Sequence, residues 1–576
     1  MEDNKEEIYE GNKKVKAKRI KNKEEINRKK KNIIKVFFGL IALVIICIIG
    51  FIVNDYIILD KNKAVNLVIN NNNVTVNLRK DILIEDNVIY LSKQDISNFF
   101  DNNIYEEKQI NQIITTSGKK IAEIGFEGNK ITINGSQKTI YANAIRKEDT
   151  IYLPISEMLN VYDIEIKYHE DTKVVTIDSL GREQKKAIVS SNKAVKSSTK
   201  TISKTVDRIK KGDSVVVIST SGNYTRIRTS NGKIGFVKSS NIENEYIVRE
   251  DMVEEKQIEG RINLTWDYFS EYGSAPDRSG TTIEGVNVVS PSFFYINKDG
   301  KLMENVGTRG LDYINWAKSN GYKVWPMVGN AEAGLTATSN LMNSYEKRRD
   351  LIESIVQVTV KYKLDGINVD FENMRMEDKD LYSRFIIELA PRLKEIGVVI
   401  SVDVTAPDGG ETWSLCYDRY TLGKVVDYMI FMAYDQYGVS SNRPGTTAGF
   451  NWVKLSLNKF LTTEEINPDK MILAVPFYTR MWTTIDGKTT SNTVAMRNVS
   501  RVIPDGVEMK WDEDLKQNYV EFMSGNSKKQ MWIEDLDSLR AKISLINENN
   551  LAGVASWVKD MESESVWKMF KEELSL

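Results

Sequence analysis

Asp365-Gly366-Ile367-Asn368-Val369-Asp370-Phe371-Glu372 alternates polar and apolar residues along its length. In an extended strand, successive side chains point to opposite faces. Gly366, Asn368, Asp370 and Glu372 therefore share one face, and Ile367, Val369 and Phe371 share the other. Around this stretch, from about Gly260 onward, strands alternate with helical segments, the pattern of βα units around a parallel sheet. The strand candidates are Arg261 to Thr265, Gly285 to Val289, Lys323 to Val328, Gly366 to Phe371, Val398 to Val404, Tyr428 to Ala433, Met471 to Val475 and Gly553 to Trp557. Between them run amphipathic helices, such as the one carrying Leu351, Ile355, Val358 and Tyr362 at helical spacing before the fourth strand.

Eight such units in roughly three hundred residues predict a C-terminal α/β TIM barrel over 260–576, with its site where the strands end. The polar face of 365–372 then points into the barrel. Barrel interiors are ordinarily filled with branched apolar side chains, so an amide and two carboxylates placed there incur a large desolvation cost. Packing alone does not select such residues, and Asp370 and Glu372 are expected to act chemically.

Composition narrows that chemistry. His169 is the only histidine, which excludes a histidine-dependent triad and a histidine-ligated zinc site. No cofactor or metal is expected. Cys47 and Cys416 are the only cysteines, so there is no disulfide framework, and Cys416 reads as buried filler with no histidine to activate it. A net charge of -1 gives no sign of nucleic-acid binding.

Charge is nonetheless uneven. Lys13, Lys14, Lys16, Lys18, Arg19, Lys21, Lys23 and Arg28 to Lys31 crowd the N-terminus, as in a basic cytoplasmic tail over 1–32. Val36 to Val53 is an unbroken apolar run, long enough to cross a bilayer of about 30 Å as a helix. A cleaved signal peptide would have an apolar core of about 7–15 residues followed by small residues. Asn54-Asp55-Tyr56-Ile57 offers none, so 33–53 is expected to be an uncleaved anchor in the lipid bilayer. The basic flank places the N-terminus in the cytoplasm and the later domains outside.

From 64 to 179 the chain reads as strands and hairpins, with Val74-Thr75-Val76, Ile131-Thr132-Ile133 and an Asn134-Gly135 turn. Asn87 to Ser92 and Asp149 to Pro154 look like two copies of one unit about sixty residues apart, each leading into a short helix. With its ending, Ile164 to Ile177, this mainly β stalk resembles the copper amine oxidase N-terminal domain. No copper site is expected, since a lone His169 beside Glu170 and Asp171 reads as a solvated turn. After a Ser-, Thr- and Lys-rich linker, Lys211 to Ile218, Tyr224 to Arg228 and Asn231 to Val237 give three short strands. The region 185–247 is similar to bacterial SH3 domains, small β-barrels that often bind wall peptide. Tyr224 and Phe236 stand at aromatic motif positions, although filling the small core is an equal use for both rings.

The barrel resembles glycoside hydrolase family 18, whose signature Asp-x-x-Asp-x-Asp-x-Glu ends the fourth strand. Asp365, Asp370 and Glu372 match, and Asn368 replaces the aspartate of the chitinase form. The Asn version is similar to the YaaH/SleL branch of spore-cortex and cell-wall hydrolases. Further matches are Met432-Ala433-Tyr434-Asp435, Val475 to Arg480 and Ala555-Ser556-Trp557. The resemblance implies retaining hydrolysis in which the substrate's own N-acetyl oxygen attacks the anomeric carbon. Glu372 would be general acid and then base, Asp370 would orient the acetamide, and Tyr434 and Asp435 would hold its other side. Trp557 would floor the sugar, and Asn368, Met432, Tyr478 and Arg480 complete the expected substrate contacts. Asn368 can hydrogen-bond but cannot exchange protons, which puts the chitinase relay in doubt and leads to the expectation that Asp370 stays ionised over a wider pH range than in the chitinase form.

Chitin, glycoprotein glycans and peptidoglycan all remain open under this resemblance. The anchor, stalk and SH3-like module favour peptidoglycan. The alternatives are chitin digestion or a catalytically silent, lectin-like wall scaffold.

Overall fold

In the computed structural model the described residues are 18, 21–25, 27–49, 65–200, 203–252 and 258–576. Lys21–Ile49 is one helix, long and apolar enough to cross a membrane by length and composition. Lys13, Lys14, Lys16 and Arg19 of the expected tail, the last residues of the expected span (50–53) and the first of the expected stalk (64) lie outside the described residues.

The chain divides into two compact units, one formed by residues 1–83 with 163–252 and the other by 84–162 with 253–576. In the first, Asn66–Ile69 runs parallel to Val174–Ser179, which also pairs antiparallel with Ile164–His169. A second sheet follows, antiparallel and seven-stranded, from Gln184–Val189 to Ile242–Arg249. Val189, Val195, Ile209, Val215, Ile227 and Val237 form its core. Tyr224 and Phe236 are half-buried outside that core and line a cleft of about 200 Å³. His169 is not a solvated turn. It ends the strand Ile164–His169, half-buried, with Nε2 3.1 Å from Thr176 Oγ1, because antiparallel pairing carries the strand through to His169↔Val174.

In the second unit, the two similar segments seen in the sequence pair with each other. Val88–Ser92 and Thr150–Pro154 are antiparallel, from Tyr152↔Ser92 to Pro154↔Tyr90. A five-stranded meander from Tyr105–Glu107 to Ser136–Thr139 packs against barrel helices Tyr345–Tyr362 and Lys379–Glu395.

Eight strand positions close a TIM-barrel-like ring: β1 (Ile262–Asp267), β2 (Val288–Pro291), β3 (Met327–Gly329, preceded by Lys323–Val324), β4 (Gly366–Asp370), β5 (Val399–Val404), β6 (Tyr428–Met432), β7 (Met471–Pro476) and β8 (Gly553–Trp557). Their neighbours pair in parallel, and β8 returns to β1. Two apolar layers result. Ile367, Val369 and Phe371 join the outer cluster beneath the helices, whereas Leu264, Trp266, Trp325, Met327, Ile430 and Ile472 fill the interior. The helix before β4 buries Leu351, Ile355 and Val358, as its spacing predicts.

One element was not foreseen. Between β7 and β8 an antiparallel five-stranded sheet is inserted, opening with Tyr478–Ile485 and Lys488–Ala495. Its Thr-, Ser- and Lys-rich strands lack the apolar bulk of a barrel strand, although the Asp486-Gly487 turn marks a hairpin.

Candidate active site

The interior end of β4 is polar, as the alternation predicts. Asn368 is fully buried at the centre of a hydrogen-bonded layer. Its Oδ1 accepts from Trp266 Nε1 at 2.9 Å and Ser290 Oγ at 3.4 Å, and its Nδ2 donates to Ser401 Oγ at 3.1 Å and Asp403 Oδ1 at 2.7 Å. All of the amide's hydrogen-bonding capacity is used, which offsets the cost of burying it. Asp365, the first residue of the signature, stays outside this layer. It accepts from the Val324 N–H at 3.1 Å and from Lys323, tying the starts of β3 and β4.

Asp370 follows on the same face. Its Oδ1 is buried and has no hydrogen-bond partner among the described residues. Burial pushes its carboxyl up to about 7. The desolvation that the sequence implied for this face thus acts on Asp370 itself.

Glu372 lies just beyond the strand, its backbone gripped by Asn330: Nδ2 donates to the Glu372 carbonyl at 2.9 Å and Oδ1 accepts from its N–H at 2.8 Å. The preceding carbonyl, of Phe371, accepts from Tyr417 Oη at 2.7 Å, and the Phe371 ring stacks on Tyr382 and Phe385. Burial first, then the charges of Asp370 and Asp435, hold the Glu372 carboxyl well above the ordinary range. Both effects favour its protonated form.

Tyr434 and Asp435 come from the loop after β6. Tyr434 packs on the interior cluster, and burial followed by Glu372 raises its phenol, which remains a donor. Asp435 has φ 55° and accepts from Tyr478 Oη and Arg480 Nη2, both at 2.7 Å. Tyr478 and Arg480 thus reach the site by way of Asp435. Met432 is buried at the end of β6 and shares parity with Ile430 and Tyr434. Trp557 ends β8, its ring centroid 5.7 Å from Trp266 and 5.6 Å from Tyr268, so three aromatic rings meet beside β1.

Apart from Asp365, the site residues singled out in the sequence gather toward one end of the barrel. Three neighbours were missed: Asn330, Tyr417 and Asp403. Asp403 was legible, because Ser401 and Asp403 repeat on β5 the alternation that marks β4. Burial, then Asp370, raises Asp403 well above the carboxylate range. Among the described residues no group of three or more His, Cys, Asp or Glu side chains is arranged to hold a metal ion.

Residues 264–562 match the family described as Glycosyl hydrolases family 18, and residues 68–177 match the copper amine oxidase N-terminal domain. The chain is 28% identical over 298 residues to the uncharacterized glycosylase YvbX of Bacillus subtilis (strain 168), covering 50% of this chain and 84% of that protein. It is 25% identical to the cortical fragment-lytic enzyme of the same organism, covering 41% of this chain and 56% of that protein. A solved structure, the spore cortex-lytic enzyme SleL of Bacillus megaterium QM B1551, is 18% identical with a TM-score of 0.49, covering 63% of this chain and 89% of the other. The match over residues 264–562 takes in more than half of the sequence, including Asp370 and Glu372, and the chain belongs to glycosyl hydrolases family 18, its barrel being a glycosidase domain.

Proposed function

We propose that the protein is a membrane-anchored, extracellular glycosidase that cuts peptidoglycan at β-1,4 bonds on the reducing side of N-acetylglucosamine. The observation that carries this reading is Glu372: a half-buried carboxyl at the open end of β4 whose protonated form is favoured by desolvation and by the charges of Asp370 and Asp435. Such a group can protonate a glycosidic oxygen at neutral pH and then, as carboxylate, take a proton from water.

The nucleophile in this reading is the substrate's acetamide oxygen, so no second carboxylate has to attack. Asp370 accepts the acetamide N–H through its free Oδ1 and stabilises the positive charge that develops there. Tyr434 donates to the acetamide oxygen from the other side. Tyr478 and Arg480 fix Asp435, which holds the reacting sugar. Trp557, braced by Trp266 and Tyr268, lies under the C–H face of the sugar.

Outside the barrel (260–576), the segment 33–53 anchors the chain in the bilayer, the region 64–179 is a stalk, and the SH3-like region 185–247 engages wall peptide. The half-buried placing of Tyr224 and Phe236, outside the core and along a cleft, favours that last role over core filling.

The test incubates the full chain, and Glu372→Gln beside it, with peptidoglycan and with chitin oligomers. New reducing ends from peptidoglycan alone, lost in Glu372→Gln, support the proposal. Cleavage of chitin alone makes the protein a chitinase, and binding without cleavage makes it a scaffold.

A further inference from the structure

Asp403 belongs to no role described so far, yet it is 1% exposed in the interior of the barrel. β4 and β5 pair with Asn368 opposite Ser401 and Val369 opposite Val402. One residue further on, strand alternation sets Asp403 beside Asp370 on the inward face.

The orientation of Asn368 decides what Asp403 can do. Trp266 Nε1 is a donor only, and it points at Asn368 Oδ1, so the NH₂ end of the amide faces Ser401 and Asp403. One Asp403 oxygen is thereby occupied as an acceptor, which leaves the other to carry a proton. The titratable groups facing Asp403 are Asp370 at the end of β4, Glu372 just beyond it, Tyr434 from the loop after β6 and Tyr382 from helix Lys379–Glu395. All four are acids, so each ionisation among them opposes the next. Asn368 cannot hold the proton that such a cluster retains.

We propose that Asp403 is a positioning residue that shares one proton with Asp370, so that the two carboxyls carry a single negative charge. As the acetamide oxygen attacks and positive charge develops, the shared proton settles on Asp403 and Asp370 faces the acetamide fully ionised. When the intermediate is hydrolysed the proton becomes shared again. No proton leaves the pair, and Glu372 separately gives its own proton to the leaving oxygen and regains one from water. This deepens the reading of Glu372 and Asp370 given above and rests on it.

The experiment measures kcat and KM against pH for the full chain on solubilised peptidoglycan glycan strands. The variants are Asp403→Asn, the exchange Asn368→Asp with Asp403→Asn, and Glu372→Gln. Asp403→Asn is expected to lower kcat about 30- to 100-fold near neutrality with KM within about threefold. Its acid limb moves to lower pH, because Asp370 no longer shares a proton with a neighbouring carboxyl. The exchange variant, which reverses the same amide–carboxyl pair, is expected to return kcat to within about tenfold of wild type and the limb to higher pH.

A wild-type profile for Asp403→Asn beside an inactive Glu372→Gln overturns the proposal and leaves the assignment of Glu372 standing. Activity in Glu372→Gln overturns that assignment itself, and the proposal with it. Should Asp403→Asn fail to fold, the exchange variant decides: an active enzyme with a raised acid limb supports the shared proton, and a folded but inactive one overturns it.

Discussion

Asn330 and Glu372 are joined by a reciprocal pair of hydrogen bonds, in which one side-chain amide satisfies both backbone groups of the proposed acid. Asn330 is itself 2% exposed and also donates to Thr338 Oγ1 at 3.1 Å, so the helix Gly334–Met342 braces the contact. Only a side chain with both a donor and an acceptor can make this clamp. Asn330→Ala should leave two buried backbone groups unpaired, lowering stability by about 1–3 kcal/mol. It should also lower kcat about 10- to 100-fold with little change in KM, since small misplacements of a catalytic group are costly. Denaturant titration and steady-state kinetics on the same preparation check both; unchanged kcat would mean that the clamp does not position the acid.

The proton inventory predicts a bell-shaped kcat profile. Activity requires negative charge at Asp370, whose carboxyl is pushed up to about 7, so the rate rises as pH climbs through that value. It requires a proton on Glu372, held well above the carboxylate range, so the rate falls again as that proton is lost at higher pH. The acid limb belongs to the carboxyl pair of Asp370 and Asp403 rather than to one residue. A profile flat from about pH 5 to 9 would contradict this arrangement.

The same burial makes Asp370 a cost to stability. Its folded value is raised to about 7, above the unfolded carboxylate near 4. Between those values the native state binds more protons than the unfolded one, so stability falls as pH rises. The penalty is absent below about pH 4 and complete above about pH 7. Asp370→Asn should therefore be more stable than wild type by roughly 1–2 kcal/mol near pH 8, with the difference vanishing toward pH 4, while activity collapses. Chemical denaturation at the two pH values checks the sign. Equal stability at both would show that Asp370 is better compensated than its unpartnered Oδ1 implies.

Gly366 begins β4 on the inward face, and a Cβ built there would overlap the indole of Trp325. Trp325 cannot yield, being fully buried and stacked on Tyr428 at 5.6 Å. Gly366→Ala is expected to cost about 1–3 kcal/mol by overpacking and to disturb the register of β4 below Asn368. A melting temperature within a degree or so of wild type would mean that the interior has slack there.

How much of this was legible follows from the range of the interaction involved. Period-two alternation exposes any inward polar residue on a strand, so Asn368, Asp370 and Glu372 were readable, and Asp403 would have been under the same test applied to β5. Asn330 was not, because its role depends on a backbone 42 residues away and its own segment carries no pattern. The inserted sheet after β7 escaped because strands built on Thr, Ser and Lys pair through their backbones and leave little apolar signal. Repetition in the stalk was visible, but its meander against the barrel helices is a tertiary choice.

That meander supplies the last expectation. Arg348, on the helix before β4, is 1% exposed and lies 3.3 Å from Glu107 of the meander and 3.5 Å from Glu388 of the helix after β4. Tyr105 Oη donates to Glu388 at 2.7 Å while the Arg384 guanidinium lies 3.6 Å from the Tyr105 ring centroid. Removing the cation would leave Glu107 and Glu388 buried without their partner, a change that costs more than the intact pair contributes. Arg348→Ala is expected to destabilise this unit by about 3–5 kcal/mol. Removing the charges together, in Arg348→Met with Glu107→Gln and Glu388→Gln, should recover at least half of that loss. Because the cluster couples the meander to the two helices flanking β4, limited proteolysis of Arg348→Ala should release the meander before the barrel is cut. Simultaneous digestion of both would mean that meander and barrel unfold as one body even without the cation.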